Sequence, residues 1–137
     1  MSSARDCLGY RLVAKSTERV ADHATSIAVQ AEGIEPMTDS SAKKVQEMAA
    51  LSRRVFENSI AALLRLDGKL AEDAISRTKE VVQLEEKLSG EVLAPKMGGS
   101  QVASVKMMLE SIRRVAEYGA DIAEIAIDLT VKEPQAV

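Results

Sequence analysis

A mostly apolar stripe runs through the first quarter of the chain: Tyr10, Val13, Thr17, Val20, Ala24, Ile27, Ala31 and Ile34. The intervals alternate between three and four, which keeps the stripe on one face of an α-helix. A second row beside it is small, Cys7, Ala14, Ala21 and Ala28, and is expected to let a neighbouring helix approach closely. Cys7 is expected in the core on that ground. The second helical pattern, Val45, Met48, Ala49, Ser52, Val55, Phe56, Ser59, Ala62, Leu63 and Leu66, is wider, as for a helix touching two neighbours. The third, Leu70, Ala74, Val81, Leu84 and Leu88, has a strongly charged back that faces water.

Turn signals separate these patterns. Gly33 to Ser40 ends one helix with a glycine and offers Thr, Asp or Ser to cap the next. Asp67-Gly68 is a tight break. Ser89 to Ser100 carries Gly90, Pro95, Gly98 and Gly99, and Pro134 closes the last pattern. Helices are therefore predicted over 4–32, 39–66, 69–90 and 100–131. Helices of this length joined by short breaks form an all-α, antiparallel bundle of four long helices.

Displacing the first stripe by 95 residues gives Val105, Met108, Ile112, Val115, Gly119, Ile122, Ala126 and Leu129, all apolar or glycine. Seven residues recur identically. Ser16, Arg19, Val20, Ala21, Ile27, Ala28 and Ala31 match Ser111, Arg114, Val115, Ala116, Ile122, Ala123 and Ala126. Shared periodicity alone would match apolar types; it would not match Arg19 with Arg114. The pattern is an internal repeat of three helices. Residues 39–131 make one complete unit, and 4–32 the last helix of a preceding unit. The 137 residues are thus expected to be a single helical domain and a piece of a longer protein.

Composition agrees with closely packed helices. The chain is 46% hydrophobic but only 2% aromatic, so its core is built from aliphatic side chains and alanine. Eighteen Lys and Arg against 21 Asp and Glu leave a net charge of −3, with no basic surplus to neutralise phosphates, so no nucleic-acid contact by this segment is expected. The longest apolar run, Ile60 to Leu64, is too short to insert in a membrane. Cys7 is the only cysteine and excludes an internal disulfide. A cytoplasmic location is expected.

The string Glu18-Arg19-Val20-Ala21-Asp22-His23-Ala24-Thr25-Ser26-Ile27-Ala28 resembles the hallmark of the PhoU family of phosphate uptake regulators. Arg113 to Glu124 looks like its degenerate second copy, and Asp67 to Ile75 with Glu85 to Leu88 is similar to the family's middle helix. The resemblance implies a fold of three-helix repeats and a regulator that restrains phosphate uptake. Its implied partners are a phosphate transporter's ATPase and a sensor or regulatory protein. The same fold in potassium or sodium–phosphate transport is an alternative, and a plain helical oligomerisation module is another. A homodimer is expected, since the first helix lacks its two repeat partners.

The family resemblance also implies bound metal, iron or another divalent ion, held by an acidic residue and an Asp four positions later. Glu18 and Asp22 fit that spacing, as do Glu117 and Asp121 in the second copy. Residues four apart share a helix face, and two carboxylates there offer oxygen ligands to a cation. The same spacing arises freely on solvated helix faces, with Lys15 and Arg19 as counter-charges. In the second copy Arg113 replaces Glu18, which disfavours a cation. His23 has no Glu three residues before it, so it does not form the inward Glu-x-x-His pair of a di-metal core. Met97 to Ser100 lacks the lysine and spacing of a phosphate loop, and no nucleophile–His–acid set exists, so no enzymatic role is expected.

Overall fold

The computed structural model describes residues 3–92 and 97–131. Four helices follow one another, α1 (Ala4–Gly33), α2 (Asp39–Arg65), α3 (Gly68–Val92) and α4 (Gly99–Thr130). Each end lies within two residues of the predicted one. The turn signals at Pro95 and Pro134 lie outside the described residues.

The helix starts are set locally. Ser3 and Asp6 form a reciprocal capping box on α1. Thr38 Oγ1 accepts from the Ser41 N–H at the start of α2, and Asp67 Oδ1 accepts from the Leu70 N–H at the start of α3. The break between α2 and α3 is made differently from the reading above. The residue with positive φ is Leu66, at φ 51 and ψ 46, and Gly68 is already helical. Asp67 is taken up as a cap, so the left-handed step that ends α2 falls one residue before it.

Helices α2, α3 and α4 pack pairwise into a three-helix unit. Met48 and Val55 from α2, Val81 and Leu88 from α3, and Leu109, Ile112 and Ile122 from α4 are almost fully buried in its centre. Each such side chain contributes about 1.5–3 kcal/mol by leaving water. Small residues bring the axes close. Ala62, Ala71, Ala74, Ala116, Ala123 and Ala126 have no exposed surface. The closest approach is at Gly119, where an added Cβ would stand 3.0 Å from Phe56 Cα and 3.2 Å from Phe56 N. Buried hydroxyls are satisfied in place: Ser52 donates to the Ile112 carbonyl across the α2–α4 contact, and Ser59 and Thr78 donate to carbonyls one turn back.

Helix α1 stands apart from this unit. Among the described residues no Cα of α1 lies within 8 Å of α2 or α3; its partner is α4 alone. The two run antiparallel. Gly9 lies against Ile125, and the Gln101 side chain donates to the Gly33 carbonyl and accepts from the Glu35 N–H at the other end. The face turned to α4 carries Val13, Ser16, Val20, His23 and Ile27, of which only Ser16 and Val20 are buried. The small row is not where it was expected. Cys7, Ala14, Ala21 and Ala28 are all exposed, and Cys7 is not in the core. Periodicity identified the apolar side of α1, but α4 covers only one flank of that side.

Candidate functional surface

The four candidate carboxylates fall in two pairs. Glu18 and Asp22 are both exposed on α1, on the side away from α4. Among the described residues neither forms an ion pair, so Lys15 and Arg19 do not act as their counter-charges. Glu117 on α4 is already engaged. It accepts from Arg113 Nη1 at 2.6 Å and stands 3.7 Å from Arg114 Nη1. Arg113 Nε in turn donates to Glu85 Oε2 of α3 at 2.8 Å. Burial alone would lower the Arg113 pKa, but the Glu85 and Glu117 carboxylates override it and raise it. Asp121 next to this network is exposed, yet its pKa is raised, by partial desolvation first and then by Glu124 and Glu117.

On one chain each of these positions offers a single pair of carboxylates, Glu18 with Asp22 and Glu117 with Asp121. Calcium-like or iron-like cations take six or so ligands, and each pair offers two residues. Among the described residues no three His, Cys, Asp or Glu side chains gather. In the second pair Glu117 is already held by Arg113.

A different cluster lies where α1 crosses α4. His23 and Tyr118 are 95 residues apart, so they occupy equivalent positions in the two repeat copies. Their rings stack, with centroids 5.8 Å apart and planes at 28°. The Arg114 guanidinium lies 5.1 Å from the Tyr118 ring centre and donates to its hydroxyl. His23 Nδ1 is 3.1 Å from Ser111 Oγ, and the Ser111 hydroxyl donates to Ser26 Oγ at 3.4 Å. A serine hydroxyl both donates and accepts, so Ser111 serves Nδ1 in either ring tautomer. Burial lowers the His23 pKa below 6.5, and Arg114 lowers it further against the opposing pull of Glu110 and Asp22.

The sequence placed His23 beside the stripe but did not pair it with Tyr118. The signal was there. Two copies of one helix crossing antiparallel about equivalent residues bring equivalent side chains face to face, and the 95-residue displacement names Tyr118 as that partner.

Two grooves flank α1. One, of about 210 Å³, lies between α1 and α2 and is lined by Val20, Ala24 and Ile27 facing Ala49, Arg53 and Phe56. The other, of about 590 Å³, lies at the start of α1, where Leu8 and Leu12 face Ile125 and Leu129 with Arg5 and Asp128 at its rim. Both are open and mainly apolar, which is the character of surfaces that take up other side chains. Among the described residues no helix is long and apolar enough to cross a membrane.

Neither the curated proteins nor the solved structures contain a match to the chain. The family comparison does give one. The model of the PhoU domain matches residues 45–126, which run from the first turns of α2 to near the end of α4. The match thus covers the three-helix unit and leaves out α1, where the hallmark-like string lies. It spans more than half of the sequence, and the chain belongs to the PhoU domain family.

Proposed function

We propose that the chain is a regulator of phosphate uptake that works as a homodimer, by contact with a phosphate transporter's ATPase or with a sensor protein. The observation that supports this reading is the family match over residues 45–126, most of the three-helix unit. The surface agrees with a role in contact. Its grooves beside α1 are mainly apolar and open.

Deletion of the gene in its host tests the reading. Phosphate uptake in phosphate-rich medium should rise, and restoring the gene should return it to the starting rate. Unchanged phosphate uptake with altered potassium or sodium flux would move the role to another transporter. No change in any of these fluxes would leave a plain oligomerisation module.

A further inference from the structure

The turn between α2 and α3 carries a feature that the fold does not require. Leu64 is 78% exposed, the most exposed large hydrophobic side chain among the described residues, and Leu66 is 51% exposed. Leu66 also holds a left-handed conformation, which glycine adopts freely and leucine does not. A half-exposed leucine stabilises such a position less than glycine would, so packing does not account for it. Val131, 68% exposed, adds a third apolar side chain at this end of the unit. There α4 closes against the turn, since a Cβ added at Gly68 would stand 3.6 Å from Thr130 Oγ1. The charges beside the leucines are cationic. Arg65 and Lys69 are exposed, and among the described residues neither forms an ion pair. The carboxylate between them, Asp67, accepts from the Leu70 N–H as the cap of α3. Leu64 and Leu66 line neither groove beside α1; they project from the end of α2.

We infer that this tip docks the three-helix unit on the surface of a membrane that contains anionic lipid. Leu64, Leu66 and Val131 enter the boundary between headgroups and acyl chains, and Arg65 and Lys69 stay at the level of the phosphates. The inference does not rest on the proposed role in phosphate uptake. Charge complementarity selects the occupant. Long cationic side chains next to apolar ones keep their stems with the leucines and reach back to the phosphates. The chain as a whole carries a net charge of −3, which opposes approach. At physiological salt, however, fields decay over about 8 Å, so the two cations at the tip outweigh carboxylates further along the bundle. Each cation beside an anionic surface strengthens association by about fivefold. Three short apolar side chains offer less than one myristoyl chain, so binding is weak and reversible, below ~10⁴ M⁻¹.

The test is cosedimentation of the full chain with lipid vesicles. Vesicles of phosphatidylcholine and phosphatidylglycerol in equal parts should carry the wild type down. Vesicles of phosphatidylcholine alone should bind about tenfold more weakly, and ~0.5 M salt should release the chain from the mixed vesicles. Leu64→Ala, at a position already in water, should keep the wild-type Tm and bind about threefold more weakly. Leu64→Ala with Leu66→Gly should bind about tenfold more weakly, with circular dichroism confirming the fold. Met107→Ala, at an exposed position near the other end of α4, should bind as the wild type does. The chain has no tryptophan, so Leu64→Trp supplies a reporter whose emission should shift to the blue on the mixed vesicles. A wild type left in solution at about 5 mM mixed lipid overturns the inference and turns the tip toward a protein partner. Binding that Leu64→Ala with Leu66→Gly leaves unchanged, or that phosphatidylcholine alone matches, overturns it as well.

Discussion

The tightest contact in the molecule yields the sharpest prediction. Gly119 lies inside α4 with helical φ, so its lack of a side chain is not needed for backbone freedom. It is needed for space. A Cβ there would meet Phe56 Cα at 3.0 Å, Phe56 N at 3.2 Å and Val55 Cγ1 at 3.3 Å. Two of these atoms are main chain in the middle of α2, flanked by the buried Ser52, Val55 and Ser59, so they cannot move alone. Gly119→Ala gains about 1 kcal/mol of helix propensity and loses about 1–3 kcal/mol to overpacking. The net expectation is a destabilisation of about 0–2 kcal/mol. Gly90→Ala is the control, since a Cβ there meets nothing within 4 Å. It should stabilise by about 0.5 kcal/mol, because Gly90 lies near the end of α3. The two variants should therefore separate by about 0.5–2.5 kcal/mol in urea unfolding, or roughly 2–10 °C in Tm at about 4 °C per kcal/mol. Gly9→Ala should fall between them, since its nearest neighbour is the Ile125 Cγ2 methyl at 3.3 Å, which can rotate away. If Gly119→Ala stabilises as much as Gly90→Ala, α2 and α4 do not approach as described.

Three further predictions follow from other parts of the fold. Leu66 holds a left-handed conformation and is half exposed, so Leu66→Gly should raise stability by about 0.5 kcal/mol after its partial packing is lost, and a lower Tm would show that the packing outweighs the strain. His23 has its pKa lowered from 6.5, so the folded chain binds the proton less readily than the unfolded one. The resulting stability is complete above about pH 6.5 and is lost as pH falls from there toward the folded pKa. NMR titration of this single histidine should give a midpoint below 6.5, and a midpoint at or above it refutes the His23–Arg114 arrangement. Metal content after dialysis should be sub-stoichiometric and unchanged in Glu18→Ala and Asp22→Ala; stoichiometric iron lost in both variants would make the pair a site after all.

Much of the fold was readable from the residues, and the reasons differ by element. The helix spans were legible because each ends at a Gly, Pro or capping residue whose effect is local. The repeat was legible because identical residues, including Arg19 and Arg114, recur at one displacement. The fate of Cys7 and the alanine row was not. A periodic stripe says which side of a helix is apolar, not how much of that side a neighbour covers, and coverage depends on where α4 lies. Leu66 was missed for a related reason. Asp67-Gly68 announces a turn, but which residue takes the positive φ depends on Asp67 being recruited as the cap of α3. In the candidate site, the outward position of Glu18 and Asp22 followed from the heptad frame. The capture of Glu117 depends on Arg113, whose orientation is set by Glu85 from α3, 28 positions before Arg113 in sequence.

The exclusive pairing of α1 with α4 has a consequence for the order of assembly. Helices α2 and α3 lie between these two in sequence, so α1 is made before them and its partner among the described residues after them. The α2–α3 hairpin can form by short-range contact while α1 waits undocked, its Ala and Val stripe in water. Joining α1 to α4 closes a long loop late, which slows that step relative to the hairpin. Through that interval the face of α1 that will meet α4 has not yet been covered by it.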